Sequence, residues 1–295
     1  MAQQIDYSLH THTVGFDGRD TVENMVLAAK VRDIKTFGIS NHFILHKNIK
    51  KSPMYKFAKL GSYEKIYNDN RDELVERFQH VFQDIRDIRK KYPDMNILCG
   101  MEMDLFKDEQ WVDDVNYAVR ILKPDYVIGA RHFVEATDGT LLNVHDVKGA
   151  DSATAGYLLR SYYQFYDDDF VDLIKRNLKF DINFFAHIDL PRKVGVYNPM
   201  MERYAVERLS NIGVPLELNT SLITKEKYLT VGADPVAIKT MAETNVPVVL
   251  SDDAHSLGQI KNGFADVFDM AQKLGVKNVC TKSADLAHFI NLKSR

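Results

Sequence analysis

His10 and His12 flank a single threonine at the end of the first apolar run, residues 5–10. Side chains alternate along a strand, so the two imidazoles share one face. Neutral imidazole ligates zinc and related ions, and a pair presented this way suits one metal site. The same ending recurs along the chain. His42, Glu102, His132, His187 and the pair Asp253 and His255 each stand at or just beyond the end of a run that reads as a strand, and Asp17 lies in the first loop. Nine such groups exceed the needs of one ion, since a catalytic zinc takes about three protein ligands. Two or three divalent ions (Zn, Mn or Fe) bridged by carboxylates match the number, with Glu102 and Asp253 best placed to bridge. Period two puts Asp253 and His255 on one face and Asp252 on the other, which favours Asp253 as the ligand. Asp104 and Asp189 each follow a predicted ligand by two residues and are placed to orient an imidazole. His46, His80, His145 and His288 fall in predicted helices or loops and read as ordinary histidines.

The elements that must carry these groups alternate from end to end. Apolar runs at 5–10, 36–40, 96–102, 126–129, 182–187, 214–219 and 246–251 read as strands. Amphipathic stretches at 21–31, 63–91, 109–122, 156–176, 200–212, 234–244 and 264–274 read as helices. Thr21 with Asn24, and Asp234 before Pro235, mark helix starts; Gly213 and Gly275 mark helix ends. Strict alternation implies a parallel sheet covered by helices. Seven units, with an eighth short run at 276–280, fit a closed or distorted barrel better than an open sheet. Long segments follow the strands, at 43–62, 133–155, 188–199 and 220–233, whereas a return such as 123–125 is short. An α/β barrel carries its site at the strand-to-loop face, so the polar groups and long loops are expected at one mouth.

Composition narrows the function classes. The chain has 295 residues, 45% of them hydrophobic, enough for one barrel with a sizeable core. No linker rich in Pro, Gly or Ser interrupts it, so residues 1–295 are expected to form one domain. The net charge of −3 supplies no basic field for nucleic acid. Cys99 and Cys280 are too few for a disulfide framework or a thiolate metal site. The first residues carry neither a basic nor an apolar leader segment, and the apolar runs are strand-sized, so a cytoplasmic protein without membrane association is expected.

The ordered segments His10-Thr11-His12-Thr13, Asp17-Gly18, Ser40-Asn41-His42, Gly100-Met101-Glu102, Ala130-Arg131-His132, Ala186-His187-Ile188-Asp189 and Asp253-Ala254-His255 resemble the signature of the PHP (polymerase and histidinol phosphatase) superfamily. Arg131, Asn41 and Asp252 depart from its usual residues without removing a ligand. The resemblance implies an α/β fold, a distorted (β/α)7 TIM-like barrel of the PHP type, holding a trinuclear site. It groups His10, His12, Glu102 and Asp253 on one ion, Glu102, His132 and His187 on a second, and Asp17, His42 and His255 on a third. Chain length, Phe16-Asp17-Gly18, Tyr162-Tyr163 and His187-Ile188-Asp189-Leu190 look most like the histidinol-phosphatase branch.

That branch implies hydrolysis of a small phosphate ester, L-histidinol phosphate first among them, by a metal-bound hydroxide. No cysteine is followed six residues later by arginine, so a thiol phosphatase is not indicated. Asp17, Glu102 and Asp253 are the carboxylates expected to serve catalysis, the leaving oxygen being protonated by a water or by an acid such as Asp17 or Asp253. For the phosphate, Arg192 is the first choice, with Lys193 and Arg131 beside it. Lys47, Lys50, Lys51, Lys56 and Lys59, among aromatics in the segment 43–62, suggest a lid over an anionic substrate. Alternatives are a PHP-type phosphodiesterase or nuclease, a protein-tyrosine phosphatase, and a non-catalytic metal-dependent module. A nuclease would want the basic groove that this composition lacks.

Overall fold

The apolar runs pair side by side in the order in which they occur. The computed structural model describes residues 5–61, 63–147, 150–196, 198–221 and 235–290. Its strands are β1 (Tyr7–Ser8), β2 (Thr36–Ile39), β3 (His42–Leu45), β4 (Tyr67–Asn68), β5 (Asn96–Asp104), β6 (Tyr126–Ala130), β7 (Phe133–Glu135), β8 (Leu141–Asn143), β9 (Phe184–Phe185), β10 (Leu216–Asn219) and β11 (Val248–Ser251). Seven of them run parallel in the order β1, β2, β5, β6, β9, β10, β11. The two ends of the series meet at Thr11 and Ala254, where His12 N donates to Ala254 O at 2.8 Å and Ala254 N to His10 O at 3.1 Å. The result is the expected α/β architecture, a nearly closed, distorted seven-strand parallel barrel of TIM-like form. The eighth run contributes a single bridge, Val279 to Val248.

Tyrosine fills the barrel interior. Tyr126 is buried, donates to Leu9 O, and stacks on Phe184. A Cβ at Gly38 or Gly100 would overlap its ring, so the two glycines in β2 and β5 make room for it. Tyr7 donates to Cys280 O at 2.9 Å and accepts from Leu250 N at 3.2 Å, tying β1 to β11. Outside, the helix Arg71–Lys91 buries Leu74, Val75, Phe78, Val81, Phe82 and Ile85, one stripe at helical spacing. Each large side chain so buried stabilises the fold by roughly 1.5–3 kcal/mol.

Several boundaries differ from expectation. The helix predicted from residue 63 starts at Arg71, because Tyr67–Asn68 pairs with β3 and the Asn70 side chain accepts from Asp72 N and Glu73 N. The stretch 156–176 divides into Ser152–Gln164, Asp168–Asp172 and a wider turn at Leu173–Asn177. Asp151 and Asp167 each cap a new helix start. The long segments are also built: 43–62 carries most of β3 and the helix Pro53–Leu60, and 133–155 carries the β7–β8 hairpin. Most of 220–233, and Asp234 as a helix start, lie outside the described residues.

Candidate metal centre

Strand register assembles the site. β5 is nine residues long; its first half pairs with β2 and its second with β3, which sets His42 opposite Glu102. His10 and His12 leave the end of β1 with Thr11 anchored by its hydroxyl to Gly38 O at 2.7 Å. His132 follows β6, His187 follows β9, and Asp253 and His255 follow β11. His187 and Asp253 take positive φ angles, 22° and 47°. Such backbone is costly for a non-glycine residue and persists where the surroundings hold it.

All nine predicted groups converge. Glu102 is their hub, divided between five imidazoles. Its Oε2 lies 2.7 Å from His42 Nδ1, 3.2 Å from His10 Nε2 and 3.4 Å from His12 Nε2. Its Oε1 lies 2.8 Å from His187 Nε2 and 3.6 Å from His132 Nε2. Asp253 Oδ1 is 3.2 Å from His12 Nε2, and Asp17 Oδ2 is 3.1 Å from His42 and 3.2 Å from His255. Four overlapping groups have ligand atoms within 4.8 Å of one another: His12, Asp17, His42 and His255; His10, His12 and Asp253; His10, Glu102 and His187; His42, Glu102 and His132.

The donor set fits several cations. His10 Nε2, His12 Nε2, His42 Nδ1, Asp17 Oδ1 and Glu102 Oε2 are buried without a hydrogen-bond partner, and each such group costs about 1–3 kcal/mol. Their electrostatics show the same demand. Burial pulls His10 down, but Glu102, Glu217 and Asp253 outweigh it and hold its pKa well above the ordinary value. At His42 burial likewise pulls the pKa down, but Glu102 and Asp17 outweigh it and hold it well above the ordinary value. Burial, then the neighbouring His255 and His42, bring His12 down to about 3. At Glu102 the penalty of burial is overcome by His42, His10 and His132, which leave it well below the carboxylate range. Such a cluster keeps protons on imidazoles that face its ionised carboxylates, where metal ions would displace them.

Carboxylates behind the cluster orient it. Asp104 accepts from His132 through both its backbone N, at 2.9 Å, and Nδ1, at 3.1 Å. Asp252 faces away from the other groups and accepts from Ser8 Oγ at 3.0 Å and Lys261 N at 2.5 Å; burial pushes its pKa up to about 7. Asp189 is buried, yet its Oδ2 meets no hydrogen-bond donor. The acid behind the cluster that holds the His187 backbone is Glu217, which takes its N–H at 2.8 Å and faces His10 Nδ1 at 2.7 Å. Sequence reasoning missed Glu217. Its signal was an acid between Leu216 and Leu218 in a strand that a parallel barrel would otherwise keep apolar.

A cavity of about 880 Å³ opens over the cluster, floored by Asp17, His42, His132, His187, Asp253 and His255. Met54, Phe57, Tyr63, Tyr67 and Leu190 give it apolar walls, and Asn143, His145 and Asp146 add polar ones. His145, read as an ordinary histidine, therefore belongs to the cavity wall. His46 does not: its Nδ1 accepts from Asn48 N and its ring packs on Phe106. The expected phosphate-binding trio separates. Lys193 lines the cavity, with Nζ 3.2 Å from Asp253 Oδ2. Asp253 and Asp189 outweigh its burial and raise its pKa.

Arg131 is not among the described residues lining the cavity. Its guanidinium lies 3.7 Å over the Phe165 ring and donates to Ser161 O, and burial lowers its pKa to about 10. Adjacent residues of an extended chain face opposite ways, so with His132 in the cavity Arg131 points out of it. Arg192 is also not among the described residues lining the cavity. It shares the turn Leu190–Val194 with Lys193, and successive residues of a three-per-turn helix diverge by about 120°.

Comparison with known proteins agrees with this geometry. The PHP domain model matches residues 6–221. A Deinococcus radiodurans protein named "Probable histidinol-phosphatase" is 26% identical over 209 residues, covering 70% of this chain and 75% of its own. The fold is shared with a candidate histidinol phosphatase of Listeria monocytogenes, at 19% identity and TM-score 0.67 over 88% of this chain and 99% of that one. It is also shared with a Lactococcus lactis histidinol phosphate phosphatase complexed with zinc, L-histidinol and phosphate, at 16% identity and TM-score 0.61 over 99% of this chain and 98% of that one. Among the described residues no helix is long and apolar enough to cross a membrane. A family match over most of the chain, set on a barrel mouth crowded with buried His, Asp and Glu, means that the chain belongs to the PHP domain family of metal-dependent hydrolases.

Proposed function

We propose that the protein hydrolyses a small phosphate monoester, with L-histidinol phosphate as the preferred substrate. The observation that carries this reading is a cluster of nine ligand-type side chains, six of them on the floor of a cavity sized for a metabolite. Two relatives named for histidinol phosphatase activity, one of them complexed with L-histidinol and phosphate, support the choice of ester.

Three groupings of this chain would hold the ions, His10, His12, Glu102 and Asp253 around one, Glu102, His132 and His187 around a second, and Asp17, His42 and His255 around a third. Divalent ions there, with zinc the one present in the Lactococcus relative, would offset phosphoryl charge and bring the pKa of water toward neutrality. The protein's own groups do the rest. Lys193, the one lysine or arginine among the described lining residues, offers an ammonium to a phosphate oxygen. Asp17 and Asp253 line the same cavity, where each can pass a proton to or from a water or leaving oxygen. Tyr63, Tyr67, Phe57 and Met54 give an organic leaving group an apolar wall and keep bulk water out.

The deciding experiment compares phosphate esters on metal-stripped and metal-reconstituted protein. L-Histidinol phosphate should exceed phosphotyrosine peptides and phosphodiesters in kcat/KM, with activity returning only on metal addition. Preference for a diester or for nucleic acid would overturn the monoesterase reading.

A further inference from the structure

Glu217 sits in the middle of β10, fully buried, and both of its oxygens are used. Oε1 faces His10 Nδ1 at 2.7 Å and accepts from Ser251 Oγ. Oε2 accepts from His187 N at 2.8 Å and from Asn219 Nδ2 at 3.0 Å. The serine, the amide and the backbone N–H are donors, and His10 becomes the fourth by carrying its proton on Nδ1. We propose that Glu217 is a positioning residue that sets two metal-facing imidazoles at once: it fixes the tautomer of His10, and it holds the backbone of His187.

The first half of the argument is chemical. A carboxylate only accepts, so the imidazole nitrogen beside it carries the proton. The lone pair of His10 is then left on Nε2. That atom lies 3.2 Å from Glu102 and 3.7 Å from Asp253, on the side where the other ligand atoms gather. The second half is conformational. His187 has φ 22°, a backbone that residues with a Cβ rarely adopt. Its N–H is spent on Glu217, and its Nε2 then reaches Glu102 at 2.8 Å. One side chain thereby links the segments after β1 and β9 to β10 and β11.

The carboxylate is specific for this work. Glutamine has the same shape but brings two N–H donors into a pocket already lined with donors. It must either face a donor or leave His10 to move its proton to Nε2, where the lone pair is needed. Removing an outer partner of this kind lowers metal affinity by about 10–100-fold in known sites.

The inference rests on the metal-centre reading, not on the choice of ester, and its test uses zinc alone as the probe. Metal-stripped wild type and Glu217→Gln are titrated with Zn²⁺ against a chromophoric chelator, alongside urea unfolding of both stripped proteins. The variant should bind zinc about 10–100-fold more weakly, beyond any change in unfolding midpoint. A second measurement reads the wild type itself, with His10→Gln serving only to assign the signal. In ¹⁵N-histidine spectra of zinc-loaded wild type, the signals absent from His10→Gln should show a proton on Nδ1 and none on Nε2. Equal zinc affinity in the variant, a loss matched by its unfolding, or a His10 proton on Nε2 overturns the role of Glu217. A wild type that takes up no zinc overturns the metal-centre reading itself, a result separate from the failure of Glu217 alone.

Discussion

β5 borders two carboxylate centres, Asp125 met by its Cys99 and its own Glu102 three residues on, and they are opposites. Near its start, Asp125 accepts from Cys99 N at 2.8 Å and from Arg89 Nη2 at 2.7 Å, while Arg89 Nε donates to Ile97 O at 2.7 Å. Donors and acceptors there match, and the local structure is complete. Toward its other end, Glu102 faces five imidazoles, and its Oε2 is buried with no hydrogen bond. A carboxylate that serves the fold is satisfied by the fold. One that serves a ligand is left waiting, at a cost that rigid neighbours must cover.

The contrast is testable by removing each in turn. Glu102→Gln should produce the largest effect, a loss of metal content and a fall in turnover of at least about 10²–10³-fold, the cost of one preorganised electrostatic partner. Elemental analysis with steady-state kinetics checks it, and full activity in the variant would end the hub assignment. Lys193→Ala comes next. A hydrogen bond to a charged group contributes about 1.5–3 kcal/mol, which corresponds to roughly a 10–100-fold rise in KM, with metal content kept. An unchanged KM would remove Lys193 from the phosphate site.

Asp125→Asn should do the reverse of Glu102→Gln. Chemical denaturation should show a loss of about 1–3 kcal/mol for the abandoned donors, whereas metal content per folded molecule stays constant. Reduced metal content in that variant would blur the distinction between the two ends of β5. The smallest effect is expected at Arg131, whose stacking on Phe165 is a cation–π contact of about 1–2 kcal/mol. Arg131→Ala should lower stability by that order and leave KM unchanged; a raised KM would return it to the substrate site.

The chemistry was legible where polarity contradicted local context. His10, His12, Glu102, His187 and Asp253 are polar groups closing apolar runs, and period two alone favoured Asp253 over Asp252. The same alternation, applied to Arg131 and His132, would have turned Arg131 away from the cavity. Lys193 and Arg192 were harder to separate, because a short turn of three residues per revolution leaves no repeat from which to read a phase. The hairpin at Phe133–Asn143 and the strand at Tyr67–Asn68 were hidden for another reason. Two- and three-residue strands carry too few alternations to register, and their existence depends on partners distant in sequence.

Local patterning was thus enough to specify repeated strand–helix units, the parallel direction of their sheet, and the residue types crowded at strand ends. These follow from side-chain periodicity and from the need of every unit to bury one face. Which groups share an ion-sized space was settled only by closure of the barrel. Register sets His42 against Glu102, the Thr11–Ala254 bridge brings the first strand beside the last, and Glu217 meets His10 across 207 positions of chain. Distances of a few ångströms between remote residues are properties of packing, and no short window of sequence contains them.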